Sequence, residues 1–138
     1  MDAKEFFREI AKANYAEFLA NPNSRRRLWN AIVSMNTVAE YVALHRLEYA
    51  EVPRETLDQE AQIVRATAPV FDELKYCAET FKHVRKIRDH RALATPFTTI
   101  STSTGVADDS VTWKINSYDL VQVVMRAASE FEKLPELS

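Results

Sequence analysis

One glycine, Gly105, stands in a chain of 138 residues, and no other feature restricts the possible folds and chemistries as much. Glycine supplies the positive φ and the missing Cβ that tight phosphate-binding turns require. A chain with one of them cannot build a GxGxxG dinucleotide turn, a P-loop or a GxSxG nucleophile elbow. The lone cysteine, Cys77, excludes in the same way a disulfide framework, a CxxC redox pair and a multi-cysteine zinc site. With 46% hydrophobic and 10% aromatic residues the composition is that of a globular protein, and its length suits one domain over residues 1–138. Eighteen Lys and Arg against twenty Asp and Glu leave a net charge of −2, which alone favours no class of partner. Residues 1–10 carry Asp2, Lys4, Glu5, Arg8 and Glu9, too many charges for a signal peptide. The longest uncharged run, 92–107, is filled with Thr and Ser rather than bilayer material. A cytoplasmic protein with no membrane partner is expected.

Apolar spacing predicts a mainly α fold: an up-down bundle of four or five helices with a short β-hairpin inserted before the last. A first helix over about 3–20 places Phe7, Ile10, Ala11 and Phe18 on one face, with Asn14 inside the stripe. Asn21-Pro22-Asn23-Ser24 breaks it, and Ser24 is a good N-cap for the next. That second helix, about 25–49, carries Leu28, Ile32, Met35, Ala39 and Val42, widened by Trp29, Val38 and Ala43. So broad a stripe suits a central element, or one covered by a second copy in a homodimer. Val52-Pro53 starts a helix to about 67 with Leu57, Ala61 and Val64 inward, and Ala68-Pro69 starts another to about 91 with Val70, Leu74, Cys77, Phe81 and Val84. Residues 95–116 read as the hairpin: β-branched Thr98, Thr99 and Ile100, turn formers around Gly105, then Val111, Trp113 and Ile115 alternating with polar neighbours. Asn116 or Ser117 is expected to cap a last helix with Leu120, Val124, Ala127, Phe131 and Leu134 on one face, stopped by Pro135.

The most informative stretch is Lys82-His83-Val84-Arg85-Lys86-Ile87-Arg88-Asp89-His90-Arg91, with five basic residues and two of the three histidines. At a helix end such residues complement the dipole while solvated. Glu79 and His83 have the i,i+4 spacing that can share a metal, but His90 lies about 10.5 Å further along the axis and cannot join them. No helix carries the Glu-x-x-His pattern of carboxylate-metal bundles, so no metal and no cofactor is expected. Arg25-Arg26-Arg27 opens the second helix, and in an up-down bundle it can share an end with the 82–91 stretch. Arg25, Arg26, Arg27, Lys82, Lys86, Arg88 and Arg91 would then form one basic patch for an anionic partner, RNA or an acidic protein surface. Acidic residues concentrate elsewhere, at Glu48, Glu51, Glu55, Asp58 and Glu60 and at Glu130, Glu132 and Glu136. Cys77 reads as core, His45 as a half-buried helix-end residue, and Asn14 with Asn36 as an inter-helix amide pair. Trp29, Trp113 and Tyr118 could stack on bases, although Trp113 more simply packs the hairpin onto the bundle.

A helical domain of this size with Arg85-Lys86-Ile87-Arg88-Asp89-His90 late in a helix resembles the HEPN domains over about residues 24–91. Their signature is an arginine followed four to six residues later by a histidine, matched here by Arg85 and His90. The resemblance implies a commonly dimeric bundle, many of whose members are metal-independent ribonucleases of toxin–antitoxin or phage-defence systems. It implies His90 as general acid and base, and Arg85 as the holder of the scissile phosphate. On an unbroken helix the two lie about 140° apart, so they meet where the helix ends or bends between them, or across a dimer. The residues themselves favour a protein that acts through an interaction surface, with the ribonuclease or RNA-binding domain as the alternative.

Overall fold

A computed structural model describes residues 1–82, 97–102 and 110–138. The chain is mainly helical: α1 (Ala3–Phe6), a π-helical turn (Phe7–Ala11), α2 (Lys12–Ala20), α3 (Arg25–Arg46), α4 (Arg54–Arg65) and α5 (Pro69–Lys82). Strands β1 (Phe97–Thr102), β2 (Ser110–Ile115) and β3 (Tyr118–Asp119) follow, then α6 (Leu120–Glu132) and a 3₁₀ turn (Pro135–Leu137). The expected hairpin is present before the last helix, with β1 antiparallel to β2 from Phe97↔Ile115 to Thr102↔Ser110. β3 adds a short third strand, Ile115↔Tyr118, across a two-residue turn in which Asn116 has φ 51°. Asparagine tolerates that left-handed conformation better than most residues. Among the described residues no helix is long and apolar enough to cross a membrane.

The proline-marked breaks fall where the spacing puts them, and Ser24 caps α3 by accepting from the Arg27 N–H at 3.2 Å. Three details differ from expectation. In the first helix the Lys12 N–H reaches back five residues to Phe7 O, and this wider turn advances the face so that Ala3, Phe7 and Ala11 point inward. Ile10, expected in the stripe, is left 37% exposed. Helix α3 stops at Arg46 because Glu48 and Tyr49 both take φ 56°, a left-handed ending built without glycine. Tyr49 then accepts a hydrogen bond from the Ala3 N–H at 3.1 Å, holding the turn against α1. The cap of α6 is Asp119, accepting from the Val121 and Gln122 N–H groups, rather than Asn116 or Ser117. Those two residues are consumed by the β2–β3 turn, which moves the helix start on to follow Asp119.

Helix α3 packs against all the other described helices. Leu28, Ile32, Met35, Ala39 and Val42 are all 1% exposed or less, and Ala31, Val38 and Ala43 widen the buried face. The breadth that from sequence suggests a second copy is covered by the chain's own helices. Phe131 on α6 stacks on Phe71 at 4.2 Å and meets the edge of Phe7 at 6.1 Å, joining α6, α5 and the π turn. The Trp113 indole donates to Pro22 O at 2.6 Å and fastens β2 to the α2–α3 turn. Asn14 donates to the Ser34 hydroxyl at 3.2 Å, so the expected amide pair is instead an amide–hydroxyl pair, and Asn36 is placed elsewhere.

Arg46 Nε donates to Glu136 Oε1 at 2.7 Å, tying the end of α3 to the 3₁₀ turn. Burial alone would raise the Glu136 pKa, but the Arg46 hydrogen bond, a backbone hydrogen bond and the charges of Arg46 and His45 outweigh it and hold it below the ordinary value. A lowered carboxylate stabilises the fold above its unfolded pKa of about 4.3, and that contribution disappears as pH falls through the folded value. Glu136→Gln is therefore expected to lose about 1–2 kcal/mol at neutral pH. In urea titrations the gap from wild type should close as pH falls below about 4. A gap of constant size from neutral to acid pH would rule out the charged pair as its source.

Candidate functional site

Three arginines open α3, where the helix dipole is positive and carboxylates are the favoured residues. Cations there cost about 0.3–1 kcal/mol each at low ionic strength, unless an anion joins them. Arg25 and Arg26 are exposed, whereas Arg27 is half-buried and donates to Glu17 O at 3.1 Å. One turn further, Trp29 is 39% exposed and its ring lies 5.3 Å from that of Phe81, tilted by 58°. Of the three residues expected to widen the buried stripe, Val38 and Ala43 are buried and Trp29 is not.

This ring contact sets the start of α3 beside the end of α5. The chain passes from that point, at Lys82, into the most basic stretch of the sequence. The Trp113–Pro22 bond brings β2 to the same end. Glu48 and Glu51 follow the other end of α3, about 33 Å away along its axis. Arg85, Lys86, Arg88, His90 and Arg91 lie outside the described residues, as does His83, which has the spacing to share an ion with Glu79.

Other candidates resolve as structural. Cys77 is fully buried, and burial, helped by Glu73, pushes its thiol up to about 12, so it has no thiolate with which to attack. His45 packs edge-on against the Tyr49 ring at 5.8 Å. Tyr118 lies against Tyr76, whose hydroxyl accepts from the Asn116 amide. Among the described residues no three His, Cys, Asp or Glu side chains gather as metal ligands would.

The fold also forms a half-open polar cavity of about 270 Å³ between α3, α4 and α5, with Arg54, Asp58 and Glu79 partly in solvent at its rim. Its charged lining is Glu40 from α3, Arg54, Asp58 and Arg65 from α4, and Lys75 and Glu79 from α5. Arg54 is bound to Glu40 at 3.1 Å and to Asp58 at 3.0 Å, whereas Lys75 reaches Glu79 only at 3.9 Å. Arg65 is 7% exposed, its Nε–H has no acceptor, and no carboxylate among the described residues pairs with it. Burial lowers its pKa, and the more distant charges of Glu40, Glu79, Asp72 and Asp58 only partly oppose that. Sequence reasoning passed over Arg65. The signal was there: it lies four residues after Ala61, a charge at helical spacing on an apolar face. A larger, open cleft of about 480 Å³ lies beside α6, but its charged residues are engaged, Arg126 with Glu73 and Glu130 with Lys133.

Comparison with protein-family models, with curated proteins and with solved structures finds no match for this chain.

Proposed function

We propose that this protein works through a binding surface, and that the surface is the end of the bundle where α3 begins and α5 finishes, with single-stranded RNA as the partner. The observation that carries the reading is the Trp29–Phe81 contact at 5.3 Å. It sets the arginines that open α3 beside the end of α5, from which the sequence runs on into its other basic stretch, 82–91. Arg25 and Arg26 supply charge for phosphates, and the half-open Trp29 ring supplies a face for a base. Three arginines at the positive end of a helix are locally unfavourable, and a polyanion turns the same arrangement into an attraction. Lys82, Lys86, Arg88 and Arg91 extend the surface in this reading. Cytoplasmic residence accords with such a partner.

Titrating a fluorescein-labelled single-stranded RNA against the protein at several salt concentrations tests this by anisotropy. Each phosphate contact contributes about 0.7 to the slope of log K against log salt. Arg25→Ala combined with Arg26→Ala should therefore reduce that slope by about 1.4. Trp29→Ala should weaken binding about tenfold at every salt concentration. Binding of an acidic peptide with no binding of RNA at low salt would replace RNA by a protein partner. Incubating the same RNA in EDTA reads the alternative: cleavage lost in both Arg85→Ala and His90→Ala would make the surface that of a HEPN-like ribonuclease. Sedimentation of the sample reads the dimer that the resemblance implies.

A further inference from the structure

The Arg65 cavity lies between α3, α4 and α5 and takes no part in the RNA-binding reading. An arginine 7% exposed, whose Nε–H lacks an acceptor and which makes no ion pair among the described residues, is an arrangement that a fold rarely leaves unanswered. The cavity volume of about 270 Å³ is several times the ~30 Å³ share of one water, and just under the ~300 Å³ where sites for drug-sized ligands begin. It suits a molecule of several heavy atoms.

Charge narrows the class. Three cations, Arg54, Arg65 and Lys75, face three carboxylates, Glu40, Asp58 and Glu79, so the lining is neutral. A polyanion such as phosphate would satisfy Arg65 while crowding the carboxylates. A cation alone would leave Arg65 as it is. Glu40 and Asp58 are held by Arg54, but among the described residues Glu79 has only Lys75 at 3.9 Å, beyond hydrogen-bond length, and retains acceptor capacity. One buried donor and one under-used carboxylate across a small neutral cavity match a molecule bearing both charges. The amides of Asn36 and Gln62 add donors and acceptors for a polar remainder. We propose that the cavity is a binding site for a small zwitterion, a free α-amino acid, whose carboxylate pairs with Arg65 and whose ammonium is received by Glu79.

Thermal unfolding of the whole chain with each of the twenty free amino acids at 10 mM tests this, with the α-carboxamide and N-acetyl forms of any that act. At least one free amino acid is expected to raise Tm by about 5 °C, and both of its blocked forms to lose the effect. Arg65→Met should abolish the shift, and Glu79→Gln should reduce it while leaving Tm without ligand nearly unchanged. If Arg65→Met does not fold, the comparison of free and blocked ligands on the wild-type chain decides alone. The proposal falls if no free amino acid moves the wild-type Tm, or if the blocked forms, acetate or phosphate move it as far.

Discussion

Phe131→Ala is expected to lower the free energy of unfolding by about 3–5 kcal/mol, the range for deleting a buried aromatic ring from a packed core. The ring is 1% exposed and touches two others, Phe71 face to face at 4.2 Å and Phe7 edge-on at 6.1 Å. Truncation removes the transfer energy of the ring and also both aromatic contacts, each worth about 0.5–1.5 kcal/mol beyond burial. Its partners cannot easily close the gap. Phe71 is itself 1% exposed and Phe7 2%, so each is fixed by further packing. For 138 residues the loss corresponds to a fall in Tm of about 10–17 °C. Ile63→Ala supplies the contrast: that side chain is 56% exposed on α4 and should cost less than about 0.5 kcal/mol. Urea or thermal unfolding of the two variants reads the difference. Equal losses would mean that the α5–α6 aromatic stack is not where this core is held.

Phe131 also marks what could be read before the fold was seen. Its stripe, with Leu120, Val124, Ala127 and Leu134, is a plain helical repeat, and all five are 9% exposed or less. The breaks were legible for a similar reason, because Pro22, Pro53 and Pro69 act on their own backbone whatever surrounds them. The misplaced features depend on partners distant in sequence or on backbone states that no residue type announces. Glu48 and Tyr49 take positive φ where glycine or asparagine would have signalled the end of α3. Asp119 caps α6 because Asn116 and Ser117 form a turn, and the turn exists because Tyr118 pairs with Ile115. The shared end of α3 and α5 was anticipated from topology, but the ring pair that joins them was not, since Trp29 reads by spacing as a core residue. Arg65 was hidden differently. A charged residue in a mostly polar helix attracts no notice until α3 and α5 close over it.

Arg65→Met is expected to make the ligand-free protein more stable, by about 1–3 kcal/mol. Moving a cation out of water costs several kcal/mol unless partners compensate, and here the Nε–H has no acceptor and no ion pair forms among the described residues. Its lowered pKa carries the same sign: burial acts against the charge, and four carboxylates at longer range do not restore it. Methionine keeps most of the apolar stem and fills an irregular space without a polar atom to satisfy, so the change removes a penalty and opens little void. A purely structural arginine would behave the opposite way, since breaking a well-paired buried charge costs about 3–5 kcal/mol. Urea unfolding separates these outcomes by sign alone. A stabilised Arg65→Met chain would identify Arg65 as a group the fold carries at a cost, the usual mark of a binding site. The gap should then narrow on adding a zwitterion that the cavity accepts, because the ligand stabilises only the chain that retains the guanidinium. A destabilised variant would instead make Arg65 part of the packing between α3, α4 and α5, with Glu40, Asp58 and Glu79 as its distant counter-charges.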